Sequence, residues 1–390
     1  MKRRGGHAIM TRKYKYSRQQ ETACGWDITV LHKKQKHSKS IRMKLQDTMS
    51  HQRKHRKQEV HLVTGGGGYP GYNLAKKLAE LGHQVILFDL REPVWPLKEN
   101  MNFIQGNITD VTCLKLNILR VVYTSTYNVV FGGQEICDGD ESLPYLPLNQ
   151  HPDHYSRTKS IAEQKVLKVN GSKTLNGGTL YTCVLRLAGV YGPEEQRHIP
   201  RIIENVKMGL LVVKYAPETL QDFLHVDNLV QGHIKAGQGL TEGKSYIAAG
   251  QAYFLSDNKP VNTLEFFKPL IEGLGYSMPN LTIPLSVVYF VAFLTEWIHF
   301  IVARIYNFQP ILTRTEVYKT GVTHYFSIKK AQKELGYHPS IQNSIEPVLK
   351  YYIDQGYMKK PQSALMYYFV NVLISTIFIM IIMSFIPVAT

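Results

Sequence analysis

With 390 residues, 44% of them hydrophobic, and a net charge of +16, the chain can bury a sizeable core in one or two domains; it is neither a low-complexity polymer nor a small stapled fold. The charge is local: residues 1–58 carry 17 Lys+Arg against 3 Asp+Glu, while the remainder carries 29 against 27. A near-neutral body excludes a broad nucleic-acid footprint, and no specific nucleic-acid partner is expected.

Residues 1–58 hold the basic clusters KRR, KKQKHSK and RKHRK and little apolar periodicity, so they are expected to form a disordered extension. Such clusters suit acidic lipid, RNA or an import receptor, and equally a solvated arm without a partner. The N-terminus lacks the apolar core of a signal peptide. Cys24, Cys113, Cys137 and Cys183 are scattered without a CxxC pair, which predicts no zinc site, no disulfide framework and a reducing compartment. His51 and His55 stand among cations without an acidic or Cys neighbour, so no metal site is expected there either.

The stretch EVHLVTGGGGYPGYNLAKKLAELGHQVILFDLREP, residues 59–93, reads as strand, glycine bend, helix, strand. Gly65, Gly68 and Gly71 are spaced three apart, Pro70 fits a first helical turn, and Gly82 marks the helix end. Glycines let a backbone approach a pyrophosphate, and a helix N-terminus offers it free N–H groups. Asp89 ends the second strand, 24 residues after Gly65, where a carboxylate can accept from an adenine ribose. It would repel a 2′-phosphate, which favours NAD; Arg91 leaves NADP open.

FIQG, ending at Gly106, and LRVVYTST, starting at Leu119, are two further strands with only residues 107–118 between them. Then comes HYSRTKS, residues 154–160, on a helix expected from Asp153 as cap to Gly171 as stop. Tyr155 and Lys159 lie four apart and share a face. Hydride transfer from an alcohol needs a base, and tyrosine at pKa ~10 is a poor one unless cations favour its phenolate; reaching ~7 takes about 4 kcal/mol. Tyr155 is therefore the candidate acid/base, Lys159 its electrostatic partner and ribose ligand, and Thr126 the hydroxyl that holds the reacting oxygen. Ser125 is the alternative to Thr126, since neighbours on a strand face opposite ways.

Residues 192–358 mix helices and short strands and form the expected substrate lobe. Within it, residues 281–308 are apolar over helix-like lengths but carry Glu296, His299 and Arg304, which suits a surface-inserted or core helix better than a spanning one. Residues 364–388 carry no charge and follow Lys359 and Lys360; about 20 residues cross a bilayer, so a transmembrane tail anchor is expected with the body on the cytosolic side.

The motifs TGGGGYPG, VVYTST, FGGQ, ESLPYLPL, HYSRTKSIAEQK, LRLAGVYGPEEQRH, FLHVDNLVQ and FQPILTRTEVYKTGVTHYFS resemble the extended short-chain dehydrogenases/reductases, in particular the 3β-hydroxysteroid dehydrogenase/isomerase branch and its family 42E. The likeness runs from about Val60 to Tyr357. It implies a Rossmann domain (59–191) with a smaller C-terminal lobe, NAD(P), a steroid- or sterol-like alcohol or ketone, and association with a lipid bilayer. The expected seat is the endoplasmic reticulum membrane with a cytosolic catalytic domain; oligomers are left open. Asn107 stands where the family usually has an adenine-side Asp, and Leu187 where it usually has Pro.

In a Rossmann order of 3-2-1-4-5-6, FIQG is the third strand and LRVVYTST the fifth. A helix, a fourth strand and another helix should separate them, roughly 40 to 50 residues. Twelve residues reach ~40 Å against a span of about 19 Å, so the chain can close but the fourth strand cannot be there. Either an empty slot remains or the fifth strand moves into it, and either outcome is expected to damage stability, activity or both. This points to an exon-skipped or misassembled coding sequence. The expectation is thus an NAD-dependent 3β-hydroxysteroid-type dehydrogenase, with two rivals: a ligand-binding pseudoenzyme without turnover, and a nucleotide-sugar epimerase, which the anchor and apolar lobe disfavour.

Overall fold

A computed structural model describes residues 58–109, 118–174, 176–211, 213–303 and 312–359. The basic extension with His51 and His55, most of the short connection, and the apolar run 364–388 lie outside the described residues.

The first half begins with β1 (Val60–Thr64), α1 (Tyr69–Glu80), β2 (Gln84–Asp89) and β3 (Met101–Gln105). The three strands are parallel in the order β1-β2-β3. β2 is buried from Val85 to Phe88, as expected of an apolar run covered on both faces. α1 carries Pro70 in its first turn and buries Ala75, Leu78 and Ala79 against Val63, Val85 and Leu87. Gly82, at φ +86°, donates to the Ala79 carbonyl while His83 donates to that of Leu78, a left-handed stop that glycine adopts without strain.

The second half starts at β4 (Arg120–Thr126), followed by the short β5 (Ile136–Gly139), α2 (His154–Lys168), β6 (Tyr181–Leu187) and β7 (Gly189–Tyr191). After α3 (His198–Lys207) come β8 (Phe223–His225), α4 (Val226–Gly239), β9 (Ala252–Leu255) and α5 (Thr263–Gly273). The described chain closes with α6 (Leu285–Val302), α7 (Arg314–Gly321), β10 (His324–Phe326) and α8 (Glu346–Asp354). β4, β6 and β9 form a second parallel sheet in the order β4-β6-β9, so a strand well beyond residue 191 belongs to the nucleotide-type layer. β7 pairs with β8 and β10 with β5, all parallel. The substrate-side lobe has its own core around Tyr191, Ile203, Phe266, Leu270 and Tyr352, with Phe223 and Phe266 stacked at 3.8 Å.

The two three-stranded sheets are not joined. β1 bonds only to β2 and β4 only to β6, and among the described residues no strand lies between them. Among the described residues β4 does not pair with β1, as a move of the fifth strand into the fourth position would require. Burial agrees: Val60, His61 and Leu62 are only half-buried and Thr64 is exposed, although this strand opens the central part of the fold. Helices hold the halves together instead. Leu74 of α1 and Ile234 of α4 pack into the cores of both halves. Thr124 of β4 bonds the His233 Nε2 of α4 at 2.8 Å; because His233 Nδ1 must donate to the Leu229 carbonyl, Nε2 accepts from the threonine. Arg120 at the foot of β4 reaches Glu59, just before β1, at 2.8 Å.

α6 is 18 residues long with mean hydropathy 1.8, and only Val288 and Ala292 are buried. Phe290, Phe293, Trp297 and Phe300 are exposed along it, while Glu296 is neutralised by Arg314 at 2.7 Å.

Candidate functional site

The glycine bend connects β1 to α1. Gly65 is left-handed at φ +72°, and a Cβ on Gly71 would sit 2.4 Å from the Gly65 carbonyl oxygen, so only glycine allows the helix to start this close to the strand. α1 is capped by Gly68 without any side-chain bond, which leaves its first-turn N–H groups for an outside acceptor. Asp89 stands beside the bend: Oδ2 accepts from the Gly67 N–H at 3.1 Å and Oδ1 from that of Leu90 at 2.6 Å. Gly65, Gly68, Gly71 and Asp89 are therefore together, in the form that fits a pyrophosphate and an adjacent ribose. Asn107 is exposed and its carboxamide oxygen is taken by Thr109, from both the backbone N–H at 3.0 Å and the hydroxyl at 2.8 Å.

The second constellation sits on β4 and α2. Asp153 caps α2 by accepting from the Ser156 N–H at 2.6 Å, and its other oxygen pairs with Lys319 of α7 at 3.1 Å. Tyr155, in the first turn, is 51% exposed. Lys159, one turn on, donates to the Thr124 carbonyl at 2.8 Å; its ammonium lies 4.9 Å from the Tyr123 ring centre and 5.9 Å from that of Tyr155. The two candidate hydroxyls have different surroundings. Ser125 turns under α2 and donates to Glu163. Thr126 points the other way, is buried, and accepts from the Asn128 N–H at 3.3 Å, leaving its own proton free to donate.

Electrostatics in the free protein run against easy ionisation of the phenol. Desolvation raises the Tyr155 pKa; the Arg197 guanidinium pulls it down, and Asp153 raises it further. Desolvation likewise lowers Lys159, partly offset by the Glu163 carboxylate. The downward pull comes from Arg197 rather than from the expected Lys159 and does not outweigh burial, so at neutral pH Tyr155 is protonated and a further cation beside it is needed to favour the phenolate.

Glu163 escaped the sequence reading. It is fully buried and accepts from the Ser125 hydroxyl, the Tyr145 hydroxyl at 3.0 Å and Arg186 Nε at 2.8 Å. It ties α2 to β4 and β6 at once. The signal was present in part: Glu163 lies four residues after Lys159, on the same helix face. Arg186, on β6, could not be read as its partner from local spacing.

A protein of Danio rerio described as short-chain dehydrogenase/reductase family 42E member 1 is 47% identical over 381 residues, covering 85% of this chain and 98% of that protein. The chain belongs to short-chain dehydrogenase/reductase family 42E. Residues 106–286 match the 3-beta hydroxysteroid dehydrogenase/isomerase family and residues 61–115 the NAD dependent epimerase/dehydratase family, which places family 42E among NAD-dependent oxidoreductases on a Rossmann fold. A 3-beta-hydroxysteroid dehydrogenase of Mycolicibacterium neoaurum is 30% identical over 345 residues, covering 75% of this chain and 91% of that protein. Among solved structures, an epimerase of Methanothermobacter thermautotrophicus superposes with a TM-score of 0.56 at 19% identity, covering 76% of this chain and 93% of that one, which shows the shared fold. The Danio alignment spans 381 positions while 85% of 390 residues is about 330, so about 50 positions of that family 42E alignment have no counterpart here.

Proposed function

We propose that this family 42E chain is a membrane-associated NAD(H)-dependent oxidoreductase of the 3β-hydroxysteroid dehydrogenase type, acting on the hydroxyl or keto group of a steroid-like substrate. The observation that carries this is the clamp of Lys159 on the Thr124 carbonyl, which sets its ammonium between the Tyr123 and Tyr155 rings, two residues from Thr126. The glycine bend with Asp89 would hold the cofactor, with the pyrophosphate at the start of α1 and the ribose at Asp89 and Lys159. NAD⁺ bound there would accept the hydride, and its positive ring would lower the Tyr155 pKa.

The proton chemistry falls to the chain. In oxidation, the Tyr155 phenolate takes the hydroxyl proton as the substrate C–H bond breaks; in reduction, the protonated phenol returns it to the nascent alkoxide. Thr126 holds the reacting oxygen by donating to it, and Lys159 steadies the charge on Tyr155. The substrate class is supported by the relatives named as 3-beta-hydroxysteroid dehydrogenases. The exposed aromatic flank of α6 supports lipid contact, with residues 364–388 as the anchor, the endoplasmic reticulum as the location and the catalytic body in the cytosol. NADP remains the alternative cofactor through Arg91.

The split sheet favours a second reading, a protein that binds ligand without turning it over. Detergent-solubilised full-length protein should bind NADH saturably and reduce NAD⁺ in the presence of a 3β-hydroxysteroid. Saturable binding without conversion selects the second reading; absence of saturable binding overturns both.

A further inference from the structure

Glu59, His61 and His83 bring three ligating groups to one face of the first sheet. Glu59 and His61 are two residues apart at the start of β1, and so point the same way. The register sets Val60 opposite Gln84, and Gln84 donates to the Glu59 carbonyl at 3.0 Å, which places His83 beside Glu59. The ligating atoms of all three lie within 4.8 Å of one another. The two imidazoles meet edge to face at 4.8 Å between ring centres.

Two further observations point to a ligand. His61 Nε2 and His83 Nδ1 are both shielded from solvent and neither has a hydrogen-bond partner. Enclosed ring nitrogens without a partner are costly unless something satisfies them. The carboxylate is also oriented from behind. Glu59 Oε1 accepts from Arg120 at 2.8 Å, leaving Oε2, 3.6 Å from His61 Nε2, directed at the histidines. Outer bonds that fix a ligating carboxylate in this way are a regular part of metal sites.

We propose that Glu59, His61 and His83 form a binding site for a divalent transition metal, with Zn²⁺ as the fitting ion. Two imidazole nitrogens and one carboxylate oxygen are a zinc donor set, with water completing the tetrahedron. Ligand atoms at ~2.0–2.1 Å from zinc stand about 3.4 Å apart, so the largest present separation must close by about 1.4 Å, within reach of side-chain rotation. The site lies at the foot of β1, and the glycine bend follows its other end, about 16 Å away for five residues. Its role is therefore to clamp β1 to β2, and through Arg120 to brace the foot of β4. The sequence holds 15 histidines, and Glu59-x-His61 carries no recognisable zinc spacing without knowledge of which residue opens β2.

The test uses the purified full-length protein, stripped with chelator and titrated with Zn²⁺ against a chromophoric competitor, beside Glu59→Gln and the double variant His61→Asn/His83→Asn. The expected result is one Zn²⁺ bound with a rise in Tm. The double variant should lose this by more than the about 10–100-fold that removal of an outer-shell partner costs. Glu59→Gln keeps an amide oxygen for Arg120 and should weaken zinc binding with only a small loss of metal-free Tm, so it reports even if the double variant fails to fold. No binding to the wild type overturns the proposal. So does equal binding to the wild type and Glu59→Gln, which would assign the metal to other histidines.

Discussion

Glu163→Gln tests the internal support of the catalytic helix. The carboxylate is fully buried and Arg186 is 3% exposed, and they meet at 2.8 Å. Glutamine preserves the shape but removes the charge, leaving the guanidinium between Tyr145 and Phe254, each 5.2 Å from its centre, with only the more distant Glu141 carboxylate to offset it. Removing one partner of a buried ion pair costs about 3–5 kcal/mol, whereas replacing both by apolar groups of similar size is often nearly neutral. Glu163→Gln should thus lower stability by about 3–5 kcal/mol, and Glu163→Leu/Arg186→Met should cost less than that single change. Urea unfolding of detergent-solubilised protein followed by tryptophan fluorescence reads both. A loss below about 1 kcal/mol for the single variant, or a double variant equal to the sum of its singles, would refute the reasoning.

Tyr155→Phe should lower kcat by about 10²–10⁴-fold while leaving NADH affinity within a factor of about two, measured by steady-state kinetics and fluorescence titration. Gly71→Ala drives a Cβ to 2.4 Å from the Gly65 carbonyl oxygen and should weaken NADH binding by at least tenfold, because α1 must retreat from the bend. Asp222 is buried, and desolvation lifts its pKa from 3.8 to about 7, against the Phe326 N–H bond at 2.8 Å. The folded state thus prefers protonated Asp222: its contribution is full below pH 3.8 and fades as pH rises through about 7, at most about 4 kcal/mol. Asp222→Asn should flatten the urea midpoint across that window, and an unchanged slope would sink the assignment. Splicing a relative's helix–strand–helix between Gly106 and Leu119 should raise Tm by several degrees, since it pairs two idle strand edges.

The features legible in the sequence were those whose physics is local. A glycine at a left-handed stop, an Asp accepting from the N–H three residues on, and two side chains one turn apart need only near neighbours. Gly82, Asp153, Tyr155 and Lys159 are accordingly where spacing put them. The length of the connection after Gly106 even gave the two possible outcomes for the sheet. The packing of α1 and α4 across both halves, through Leu74 and Ile234 from distant parts of the chain, was not legible in it. β9 was likewise invisible as a member of the nucleotide-type sheet, because its partner β6 lies more than 60 residues earlier. Arg186 could not be paired with Glu163, nor Arg120 with Glu59, until the strands were laid side by side.

Among the described residues no backbone bond joins β1 to β4, so the two halves meet through side chains. The glycine bend rides on one half and Tyr155 on the other, joined by a greasy seam of helices and a few side-chain ties. A small molecule that touches both must spend part of its binding free energy fixing their mutual orientation, and in return it stiffens the whole domain. Ligand affinity and rigidity of this chain should therefore rise and fall together, with α1 and α4 acting as the spring.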